Sequence, residues 1–290
     1  MNRKLLILAL ITLFPLVGQA EEIKRGWELN LKRLAFELSS TDVKHGREYK
    51  DFPNAKLTAD SGHIVKGDLD LEGNYFAQHF VWGNQLLVEY GKTTFKSYDG
   101  EETESENADT ILLTSSYTQR AWRTENFLGG FEAGPYGALA YETEVNAQGD
   151  SHLKQVVRAS AGIKIFEGTY IKDFHLAGFA EEDFTYRPAS EKYGWEIGIE
   201  INQPVREGVT AVYKGLFRDY LYASHKRPTD LDYEVMAEAR LDVEVWKELV
   251  IAPIIQYYTA QGSYVAKRGE NLFVGVSLSF SHLFIKADEI

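Results

Sequence analysis

No cysteine occurs among the 290 residues. That excludes a lipid-anchored lipoprotein, which needs a cysteine directly after its leader, and it suits an exported chain that folds without disulfides. Long apolar runs are also missing beyond the first twenty residues. The best later run, Leu249 to Ile255, is far shorter than the ~20 residues of a spanning helix. Basic charge is in deficit, with 31 Lys and Arg against 43 Asp and Glu and a formal net charge of −12. Such a chain has no basic footprint for nucleic acid.

The first twenty residues have the form of a secretory leader. Asn2-Arg3-Lys4 supply a positive start, Leu5 to Leu16 a short apolar core, and Gly18-Gln19-Ala20 a small-residue cleavage site before Glu21-Glu22. Cleavage after residue 20 removes Arg3 and Lys4, so residues 21–290 carry −14. The remainder is expected to form a single domain, a size ordinary for a closed barrel.

Short turns recur at a nearly fixed spacing. They are Trp82-Gly83-Asn84, Trp122 to Asn126, Phe166 to Thr169, Pro204 to Gly208 and Trp246-Lys247-Glu248, with centres 41, 43, 39 and 41 residues apart. Polar segments lie between them, so each interval holds two long runs and one outer loop. Globular strands average only ~5–6 residues, whereas a tilted bilayer-crossing strand needs ~9–11 plus flanks. The spacing predicts an all-β fold, a transmembrane antiparallel β-barrel of twelve strands with short periplasmic turns and longer extracellular loops. The strands are placed at 26–39, 63–80, 85–97, 109–121, 127–145, 153–165, 170–186, 193–203, 208–223, 231–245, 249–261 and 271–284. Outer loops follow at 40–62, 98–108, 146–152, 187–192, 224–230 and 262–270. Trp27, Trp82, Trp122 and Trp246 fall at the periplasmic ends, where amphipathic rings favour the interface. Pro135 and Pro253 lie inside strands and should mark bulges, because a closed barrel has no free edge. The phase break at Lys32-Arg33 predicts another bulge.

Period-two alternation assigns the faces. Val235, Ala237, Ala239, Leu241 and Val243 alternate with Glu234, Met236, Glu238, Arg240 and Asp242; Trp195, Ile197, Ile199 and Ile201 alternate with Glu196, Gly198, Glu200 and Asn202. Charge facing lipid costs up to ~2–4 kcal/mol for a mid-bilayer Lys or Arg, so the charged face must line the lumen. The predicted lumenal network places acids on strands two (Asp68, Asp70, Glu72), five (Glu132, Glu142, Glu144), eight (Glu196, Glu200) and ten (Glu234, Glu238, Asp242). Bases stand on strands six (Lys154, Arg158, Lys164) and nine (Lys214, Arg218), with Arg240 on ten. Acid-rich strands beside base-rich ones would allow lateral pairing in a low-dielectric interior.

The stretches Ala108 to Tyr117 and Leu231-Asp232-Tyr233-Glu234 to Leu249 resemble the poorly characterised outer-membrane barrels of the salt-induced, domain-of-unknown-function type, a likeness extending over the whole mature chain. Gly275 to Phe280 looks like the C-terminal signal read by the barrel-assembly machinery, although Ile285 to Ile290 extend past the usual terminal aromatic. The resemblance implies a Gram-negative outer-membrane location and partners limited to outer-membrane lipid and that machinery. It brings no substrate, cofactor or catalytic residue.

Candidate chemistry is sparse. Ser281 and His282 are adjacent, so they face opposite ways and cannot form a hydrolase pair. Asp173 and His175 share a lumen face. His45 and His63, with Asp42, Asp51 and Asp60, and the run Glu101 to Glu106 are weak metal candidates that read more simply as solvated loops. The expected role is a narrow polar channel for small solutes in a monomeric or weakly associated barrel, without catalytic, cofactor or metal sites. The alternative is a closed-lumen structural or stress-related barrel, and a hydrolase is the remote one. Whether residues 40–62 enter the lumen decides between the first two: an open bore supports transport and a blocked one supports structure, with Tyr49, Phe52 and Pro53 as plug residues.

Overall fold

The computed structural model describes residues 24–58, 61–96, 102–125, 127–146 and 152–289, without the side chains of 93–107 and 289. The leader, Asp60 and Glu101 lie outside these residues. The strands are β1 (Lys24–Lys44), β2 (Gly62–Phe76), β3 (Phe80–Lys96), β4 (Glu102–Gln119), β5 (Trp122–Thr124), β6 (Phe131–Thr143), β7 (Gln155–Phe166), β8 (Ile171–Asp183), β9 (Ser190–Arg206), β10 (Val209–Ala223), β11 (Leu231–Trp246), β12 (Leu249–Gly262), β13 (Gly269–Ile285) and β14 (Asp288–Glu289). Twelve long strands pair antiparallel in chain order, and β1 closes on β13 from Leu29↔Ile285 to Lys44↔Glu270. β5 continues the β4 edge along β6, while β14 continues the β13 edge along Lys24 and Arg25. The fold is a closed twelve-stranded antiparallel β-barrel.

Side-chain alternation produces two chemically distinct surfaces. Leu34, Phe36 and Leu38 lie beside Phe280, Leu278 and Val276 across the closing seam, all exposed on the outside. Between them Ala35 and Glu37 are buried on the inside. Leu241 and Ile199 belong to the outward rows, next to Ala211 and Gly215 of β10. Aromatic girdles mark both edges of this apolar band, as amphipathic rings do at a bilayer boundary. Trp27, Tyr75 and Trp82 cluster at the short-turn end, with Phe80 against Tyr117. Trp195, Phe217 and Tyr233 form the matching row nearer the long loops.

Three irregularities were expected, and two are bulges. The ladder shifts between Leu31 and Leu34, which turns both Lys32 and Arg33 into the lumen. Gly134-Pro135 stands where pairing passes from β4 to β5 with a one-residue shift. A Cβ on Gly134 would lie 1.7 Å from the Gln119 carbonyl oxygen, so the strands approach there as only glycine permits. Pro253 differs. Register is continuous along β13, and the β11 ladder skips a step between Arg240↔Ile254 and Val243↔Ile251. The missing N–H is absorbed by a ladder gap rather than a bulge.

Loop boundaries also differ. β3 and β4 extend to Lys96↔Glu102, so residues 102–106 of the loop placed at 98–108 belong to paired strand. Polar strand ends beyond the apolar band still satisfy their backbone groups by pairing, and their composition hides this. Likewise β1 reaches Lys44 and β2 starts at Gly62, leaving 45–61 to connect them.

Candidate functional site: the lumen and its mouth

Inward rows of neighbouring strands bring opposite charges side by side. Arg218 on β10 donates from Nε and Nη2 to Glu196 Oε2 on β9, at 3.1 and 3.0 Å, and from Nη1 to Glu234 on β11 at 2.6 Å. Arg158 on β7 donates to Glu181 on β8 at 2.9 Å and lies 3.7 Å from Glu142 on β6. Lys154 pairs with Glu142, its backbone N–H donates to Glu144, and Ser160 donates to Glu196.

Nearer the short turns, Lys32 bridges Glu72 and Glu200 at 3.1 and 3.4 Å, and Lys214 reaches Glu200 at 3.6 Å. Arg240 joins Glu238 to Asp242 on its own strand. Asp70 accepts from Gln85, Lys164 meets Asp173, and Glu132 lies 3.1 Å from Arg120. These charged residues stand on inward rows, in separate local clusters rather than one. Pattern reading missed Glu37, Glu89, Glu181, Lys192 and Arg120. Glu37 was hidden by the phase break. Glu89 stands on a strand whose inward row (Val81, Gly83, Gln85, Leu87) is mostly uncharged.

The long-loop mouth is filled by the chain itself. After β1 a 3₁₀ turn (Gly46–Tyr49) and one helical turn, α1 (Ala55–Thr58), fold inward. Tyr49, Phe52 and Leu57 are buried against Tyr258 and Ala260 of β12, with Met236, Leu231 and Val265 around them. The wall is recessed to receive them. A Cβ on Gly262 would fall 2.8 Å from the Phe52 ring, and one on Gly269 would fall 2.7 Å from Leu57 Cδ2. Tyr49 Oη lies 3.1 and 2.9 Å from the Ala260 and Lys267 carbonyls and accepts from Gly262 N–H. Asn54 donates to Tyr258 Oη, which donates to Glu234 at 2.8 Å, so the segment is wired into the Arg218 cluster. Tyr49, Phe52 and Pro53 were the expected plug residues; Leu57, Asn54 and Lys56 were not foreseen.

At the short-turn end, inward side chains narrow the lumen. Phe76 points inward and is buried, with the Lys24 ammonium 5.1 Å and the Arg120 guanidinium 5.7 Å from its ring centroid. Phe166 and Ala287 are also buried there. Between the two ends lie two small cavities lined by described residues. One of about 60 Å³ separates Phe52, Pro53 and Asn54 from Arg158, Glu181 and Lys192 on the opposite wall. Another, of about 30 Å³, lies beside Lys56, Lys66 and Phe273.

The other candidates resolve simply. His175 Nδ1 is 2.7 Å from Asp173 Oδ1 and stacks near Tyr136, inside the lumen. His282 faces outward between Phe280 and Phe284, with Nδ1 2.7 Å from Glu248. His45 contacts the Arg268 carbonyl. Among the described residues no group of three His, Cys, Asp or Glu side chains could hold a metal ion.

No family model matches the chain, and no curated protein matches it. Solved structures similar to it include an outer-membrane channel from Pseudomonas putida F1, with 11% identity over 93% of this chain and 100% of that one and a TM-score of 0.43. Outer membrane phospholipase A from Escherichia coli shows 12% identity over 86% and 91%, TM-score 0.43. The translocator domain of the autotransporter NalP from Neisseria meningitidis shows 10% identity over 88% of each chain, TM-score 0.39. At these identities and scores nothing about activity passes to this chain.

Proposed function

We propose that the mature chain, from Glu21 onward, is a Gram-negative outer-membrane barrel, inserted by the barrel-assembly machinery as a monomer or weak oligomer. Its role is a narrow polar conduit for small solutes, closed in this conformation by residues 45–58. The observation that carries the reading is the asymmetry of the plug. It packs on β11, β12 and β13 and reaches β3 and β4 through α1, yet leaves a polar cavity against the Arg158–Glu181–Lys192 wall. A lumen ionised along its length would be costly to leave dry and suits a path for water and polar solutes. The second reading, a closed structural barrel, is favoured by the lateral ion pairs that brace the lumen midway.

Conductance in planar bilayers separates the two. Residues 46–58 would be replaced by a short Gly-Ser linker, and heat-modifiable gel migration would confirm that the barrel still forms. Current through this variant and near silence from the intact protein support the gated conduit. A folded, silent variant supports the closed barrel.

A further inference from the structure

The plug carries a cation into a nest of carboxylates. Lys56 donates from Nζ to Glu89 Oε2 at 3.1 Å. Its backbone is fixed independently of that contact: its N–H donates to Asn54 Oδ1, and its carbonyl accepts from Asn271 Nδ2 at 2.8 Å. Asn271 is in turn held by Thr41. Glu89 is not alone. Lys66, buried on β2, lies 3.6 Å from Glu89, 3.2 Å from Asp68 and 3.1 Å from Glu37, while Arg33 pairs with Glu37 and stands 3.8 Å from Asp68.

With Lys56 included, the three carboxylates Glu37, Asp68 and Glu89 face the three cations Arg33, Lys56 and Lys66. Without it, one negative charge is uncompensated in a confined site, a state far costlier than the same charge in water. A second observation points the same way. Asp68 is 7% exposed, yet its Oδ2 accepts no hydrogen bond from a cation, Arg33 standing 3.8 Å away. The nest therefore has acceptor capacity beyond what its resident cations use. The small cavity beside Lys56 and Lys66 gives it room.

We infer that Glu89, Asp68 and Glu37 form a binding site for a small monovalent cation, a primary ammonium or an alkali ion, and that Lys56 fills it as a tethered occupant. Removing the plug would expose a cation site inside the mouth. This deepens the conduit reading by naming the class of solute, and its test needs no current.

The test is thermal unfolding of the full chain in detergent at low ionic strength. Lys56→Gln keeps both backbone hydrogen bonds and removes the ammonium. It should lower the midpoint by several degrees, while Lys50→Gln at an exposed position should not. Methylammonium chloride should restore the Lys56→Gln midpoint with a saturable dependence, and tetrapropylammonium chloride at equal ionic strength should not, because it is too large and has no N–H to donate. Wild type should respond to neither. The double variant Lys56→Gln/Glu89→Gln should lose the dependence on methylammonium. A Lys56→Gln protein as stable as wild type, or one rescued equally by both salts, would overturn the assignment. If the single variant folds only with methylammonium present, that requirement is itself the expected result. Failure here leaves the conduit reading intact, since that stands or falls on current through the plug-deleted barrel.

Discussion

The two walls of the lumen hold the interior together by different physics. On the β12–β13 side a chain segment inserts apolar side chains into recesses left by Gly262 and Gly269. On the β6–β11 side guanidinium groups link carboxylates on the two flanking strands, Glu142 to Glu181 through Arg158 and Glu196 to Glu234 through Arg218. The first wall is packed by apolar side chains, whereas the second borders a cavity of about 60 Å³. Non-directional burial tolerates sliding and release, but a bidentate ion pair does not. In the gated conduit proposed above, the plug is the displaceable part and the ionic wall the fixed frame.

Perturbing the ionic wall should have the largest effect. Arg218→Ala leaves Glu196 and Glu234 without their guanidinium, and in a confined lumen the loss should be about 3–5 kcal/mol, read as a lower urea midpoint. A midpoint near wild type would mean that water already screens the pair and the bore is open. On the outer side of the same barrel, Leu241→Arg places a charge in the apolar band and should cost about 2–4 kcal/mol. A negligible shift would place Leu241 outside the bilayer.

The packed wall should respond less and more locally. Gly269→Ala puts a methyl where Leu57 and Tyr49 sit, an overpacking worth about 1–3 kcal/mol. The barrel can avoid that cost by expelling the segment, so the expected readout is proteolysis within 45–58 while the barrel stays heat-modifiable. Protection equal to wild type would show that the recess has slack. The link between the walls should be weakest. Tyr258→Phe removes the bridge from Asn54 to Glu234 and should cost about 1 kcal/mol, measured by denaturant titration. No change would mean that the plug and the ionic wall are energetically separate.

The barrel was legible in sequence because an apolar exterior and a charged lumen enforce one rule on every strand. Leu241 and Asp242 cannot exchange faces without placing charge in lipid, so alternation and turn spacing gave strand number and polarity together. The Lys32-Arg33 phase break announced its bulge for the same reason. The lumen was less legible. Whether Glu89 meets Lys56 depends on a connection that reads as polar loop, and period-two logic says nothing of such segments. Tyr49 and Phe52 stood out as aromatics in that loop, but Gly262 and Gly269, which make room for them, carry no signal without the partner they accommodate. Strand ends beyond the bilayer were lost too, since Lys92 to Lys96 and Glu102 to Glu106 pair as strand while having the composition of loop.

The seating of segment 45–58 inside the mouth is the central feature of this barrel. Because the chain has no cysteine, single cysteines report accessibility cleanly. Leu57→Cys, at a site only 1% exposed, should stay unreactive toward a membrane-impermeant maleimide in the folded barrel and react after heat unfolding, while Lys50→Cys on the surface labels at once. Labelling of Leu57→Cys in the folded barrel as fast as Lys50→Cys would contradict the seated plug.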